Sequence, residues 1–161
     1  MDSNELFKKE IHTQIRDYFR TLKYPGTDDL VFGQVEKMFV NIPTKVPACE
    51  IAVDGTAPQI LGNDYDERGY AFNAIITDDI ESTISQSDAD SRIDRFSNIE
   101  DVVLNALQKV PNIFEDGANG IRVSRIIPME TTPSYELTNA GIRIYMSIKF
   151  VLYILISVKQ M

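Results

Sequence analysis

Tryptophan is absent from this sequence, and cysteine and histidine occur once each, as Cys49 and His12. A single thiol cannot form an internal disulfide, and one imidazole cannot build a His-rich metal site or a relay that needs a second histidine. The 117–120 stretch, Gly-Ala-Asn-Gly, lacks the lysine that a phosphate cradle requires, and no nucleophile elbow occurs. Positive charge is also scarce. Sixteen Lys/Arg against 24 Asp/Glu leave a net charge of minus 8, which weighs against a protein held on nucleic acid by phosphate contacts. No apolar run is long enough for a membrane span: the C-terminal one is broken by Arg143 and Lys149, leaving about nine largely uncharged residues. The N-terminal Met-Asp-Ser-Asn-Glu lacks the basic start and apolar stretch of a signal peptide. These absences predict a soluble protein, with no membrane partner and no export signal.

Alternation, by contrast, is plentiful. Ile142, Ile144, Met146, Ile148, Phe150, Leu152, Ile154, Ile156 and Val158 fall on one face of a predicted β-strand over 142–158. At the strand rise such a segment spans about 55 Å, so it must bend or project past its own sheet. The opposite face begins polar with Arg143, Ser147 and Lys149, then turns apolar at Val151, Tyr153 and Leu155. A strand apolar on both faces needs two covering layers, and a small chain has little to spare for the second. Val151, Tyr153, Ile154, Leu155 and Ile156 are therefore expected to meet another copy of the chain, satisfying edges across an interface.

With 161 residues and 43% hydrophobic positions, the chain suits one domain, 1–161, with one core. Leu6, Phe7, Ile11, Ile15, Tyr18, Phe19 and Leu22 recur at helical spacing and predict a first helix ending at Tyr24-Pro25-Gly26. Strands are predicted over 30–40, 48–53 and 68–77, with a loop over 55–67. Residues 78–91, polar and acidic, read as a loop or a poorly anchored extension. Ser97 and Glu100 have capping-box spacing, so a second helix is predicted from Ser97, with Ile99, Val102, Val103, Ala106 and Leu107 inward and its end before Pro111. A strand over 121–127 and a Thr-Thr-Pro-Ser loop precede the final strand. The fold class is α+β, a mainly antiparallel sheet with two helices packed on it.

The acidity is local. Residues 54–101 hold 12 Asp/Glu and 3 Lys/Arg, a net of minus 9, while the remainder nets plus 1. Asn63, Asp64, Asp66 and Glu67 place oxygens at alternate positions but lack the mid-loop glycine and terminal glutamate of a calcium loop, so a solvated acidic loop is expected. Asp88, Asp90 and Asp94 suit the N-terminal dipole of a following helix. His12 borders the first helix's apolar stripe and reads as a packing side chain, and Cys49, with no cation beside it in sequence, as an unreactive strand thiol. No catalytic residue, metal or cofactor is predicted. From the enzyme class, the alternative is a small metal-dependent hydrolase using carboxylates near Asp64 or Asp88.

The first helix with Tyr24-Pro25-Gly26, the strand Arg68-Gly69-Tyr70-Ala71-Phe72-Asn73-Ala74-Ile75-Ile76, the helix over 97–107, and Gly120-Ile121-Arg122-Val123 ahead of a long last strand together resemble tail terminator proteins of siphophages, the family of the lambda minor tail protein U. The similarity covers most of the chain in element order and size. It implies a structural virion protein and no enzyme: a hexameric ring, assembled in the host cytoplasm, that caps the tail tube, stops its polymerisation and joins the head or neck. The implied partners are sister copies, the tail tube protein and a head completion or neck protein, with DNA passing through the ring but not bound tightly. Asp64, Asp66 and Glu67 are then expected to face the channel, where like charge repels DNA. Another connector or completion protein of related fold is the near alternative.

Overall fold

The structure, a computed structural model, describes residues 3–62, 65–114 and 121–157. Helix α1 (Ser3–Phe19) leads through a turn at Gly26 to a short strand β1 (Gln34–Glu36), then β2 (Ala48–Ile60) and β3 (Tyr65–Glu81). Helix α2 (Gln86–Ile113) follows, and strands β4 (Val123–Thr138) and β5 (Gly141–Ser157) close the chain. The sheet order is β1-β2-β3-β5-β4, parallel at β1–β2 and antiparallel elsewhere. This is the α+β arrangement read from the sequence, with its long C-terminal strand.

Both helices lie on one face of the sheet. Ile11, Ile15 and Phe19 of α1 and Phe96, Ile99, Val103, Leu107 and Val110 of α2 are buried in the same core as Tyr70, Phe72, Ala74 and Ile76 of β3 and Met146, Ile148, Phe150, Leu152 and Ile154 of β5. The register explains this: Phe72 stands opposite Phe150, and Ala74 opposite Ile148, so the period-2 apolar sets of the two central strands share a face. The Phe72 and Phe150 rings stack with centroids 5.7 Å apart.

Several elements extend beyond their predicted limits. Helix α2 starts at Gln86, capped by Ser85, whose Oγ accepts from the Asp88 amide at 3.2 Å. Ser97 and Glu100 thus sit inside the helix, and residues 86–91 are helical, because Ala89 carries the buried stripe back a further two turns where large apolar residues are missing. Pro111 falls in the last turn rather than after it, and the helix stops two residues later. Strand β2 continues through 55–60 because a register shift at Val53/Gly55 absorbs the irregularity, with Gly55 at φ +110°. β4 runs through the Thr-Thr-Pro-Ser segment because it is an edge strand, where Pro133 need not supply a ladder N–H. Of the 30–40 stretch only Gln34–Glu36 pairs.

β3 and β5 stay paired to Glu81 and Gly141, where β5 begins at φ +148°. A Cβ there would collide with the Ile80 carbonyl and crowd the Ser82 amide. Among the described residues, no helix is long and apolar enough to cross a membrane.

Candidate functional site

The sheet face away from the helices carries the residues expected to seek partners, and the chain tidies most of that face itself. Three ion pairs tie strands together, the first two reaching across an intervening strand: Lys149 Nζ of β5 to Asp54 of β2 at 2.9 Å, Arg125 Nε of β4 to Glu67 of β3 at 3.1 Å, and Arg143 Nε of β5 to Asp79 of the adjacent β3 at 2.6 Å. Val151 lies in register between Ala71 and Ile127, is flanked by Lys149 and Tyr153, and is only 8% exposed. Tyr153 is half-buried with the Arg125 guanidinium 4.5 Å above its ring, a cation–π contact. Leu155, also half-buried, shares this face across from Glu67.

Ile154 stands differently. It points to the helix side, pairs in register with Arg68 and Val123, and is 1% exposed within the core. It is committed to this chain's own interior and unavailable to a sister copy, a correction that follows from strand parity. Of Ile156 only the backbone is described, paired with Asp66, and Val158 lies outside the described residues.

The acidic loop is also rearranged. Asp64 lies outside the described residues. Asp66, on the helix-side parity of β3, is 3% exposed and accepts from the Gly62 amide at 3.0 Å. Glu67 is held by Arg125 and by the Ser124 hydroxyl at 3.1 Å. Neither of these two carboxylates is a free charge facing solvent, so the predicted DNA-repelling loop is not built from them: one is turned inward by the pleat, the other neutralised.

The 11 residues joining the parallel pair β1–β2 cross the sheet's outer face. The Phe39 amide donates to Glu50 at 2.8 Å, and Arg143 Nη2 donates to the Pro43 carbonyl at 3.3 Å, pinning the crossing. Three of its apolar residues are bare: Met38 is 68% exposed, Val40 84% and Ile42 73%. At the opposite edge of the sheet every residue from 132 to 140 is exposed, Tyr135 and Leu137 at 73% and 75%. Both have the parity of the helix-covered face, but the helix layer stops short of them. Sequence reasoning passed over both patches because it took 131–134 as a loop and 30–40 as a strand.

Between the crossing loop and the hairpin end lies a charged cleft of about 560 Å³. Asp78, fully buried, takes Arg95 Nη2 at 2.7 Å and the Asp79 amide at 2.9 Å, while Arg92 donates to the Asp79 carbonyl at 2.8 Å. Asp79 is gripped by two nitrogens of Arg143. Arg92 and Arg95 thus brace α2 against β3, and Arg143 braces β5 against β3. Among the described residues no group of three or more His, Cys, Asp or Glu could hold a metal ion.

His12 donates from Nε2 to the Ile51 carbonyl, and its ring tilts against Phe72 at 5.4 Å. Burial, outweighing that hydrogen bond, holds its pKa below the ordinary 6.5. The folded state therefore binds fewer protons than the unfolded state, so His12 costs nothing above pH 6.5 and destabilises progressively as pH falls below it. Urea midpoints at about pH 7.5 and about pH 5.5 check this: the acid-side loss is expected to be smaller in His12→Gln than in the wild type. Equal losses would mean that the imidazole does not titrate against the fold. Cys49 is fully buried, and burial pushes its thiol far up, so no reactive thiolate is present.

No protein-family model matches the chain, and no curated protein matches it significantly, so its function is argued from its surfaces.

Proposed function

We propose that this chain is a siphophage tail terminator, a structural subunit whose ring, expected to be hexameric, caps the tail tube, halts its polymerisation and offers its other face to a neck or head completion protein. Its place is then the head-proximal end of the virion tail, reached by assembly in the host cytoplasm. Supporting this is the succession of a first helix, a hairpin, a second helix and a long final hairpin on one sheet, the layout on which the resemblance rests. The observation that carries the reading is the bare end of the β4–β5 hairpin, exposed from 132 to 140 with Tyr135 and Leu137 uncovered. An apolar arm at a sheet edge recruits partners unless a specific one covers it, which suits a protein whose work is done by interfaces. The net charge of minus 8 per copy fits a ring that lets DNA pass without holding it.

Negative-stain imaging of the purified chain, alone and with polymerising tail tube protein of the same phage, tests the proposal. The expected result is extra density at tube ends and an arrest of tube growth. Tubes that lengthen without limit and carry bare ends would overturn it.

A further inference from the structure

We draw no further inference here: the strongest candidate, the apolar surface left bare around the charged cleft by Val40 and Ile42 of the β1–β2 crossing loop and by Tyr135 and Leu137 of the β4–β5 hairpin end, carries nothing, since nothing in the structure shows what covers it.

Discussion

Phe72→Ala is expected to lower unfolding stability by about 3–5 kcal/mol, the range for emptying a large aromatic from a packed core. Phe72 is 0% exposed on a central strand, stacked on Phe150 and touched by the His12 ring from α1. Deleting it opens a void where helix and sheet meet, and the two flanking strands of an antiparallel ladder cannot collapse into it. Phe72→Leu keeps more of the volume and should lose less. Urea unfolding at fixed protein concentration reads both, and a loss below about 1 kcal/mol for the alanine variant would show that this ring does not anchor the layer contact.

Gly141→Ala is expected to cost about 3 kcal/mol, although it adds one methyl group at an exposed turn. The backbone there is at φ +148°, a conformation open essentially to glycine, and the new Cβ would strike the Ile80 carbonyl, which belongs to the rigid end of β3. Relief requires the hairpin to swing away from β3, breaking the last rungs near Glu81. Hydrogen exchange should accordingly rise at the Ser82 amide, which donates to the Ala140 carbonyl at 2.9 Å. A stability equal to wild type, with Ser82 still protected, would contradict the close approach. If the hairpin end makes an assembly contact, the same variant should also weaken tube capping.

The two variants differ in how visible their causes are in the sequence. The apolar alternation of Tyr70, Phe72, Ala74 and Ile76 marks Phe72, within its own segment, as one member of a strand's buried face. Nothing in Asn-Ala-Gly announces that Gly141 lies against another strand, since that approach depends on Glu81, 60 positions earlier, pairing with it. Ser97 misled for a related reason: capping-box spacing is a local pattern, but where a helix starts depends on whether residues further upstream also find something to pack on, and Ala89 and Phe96 do.

The sequence by itself determined the helical stripe of α1, the central strands and the long final strand, because each is written in periodicity within one segment. Coverage is another matter. Ile142 and Ile154 share one strand, one face and one chemistry, yet the first is 37% exposed and the second 1%. Only the tertiary structure decided this, because it fixes where the helix layer ends. Burial is set by what lies across a strand, and that partner comes from elsewhere in the chain. The same holds for Asp66, turned inward, and for Val40 and Leu137, left bare.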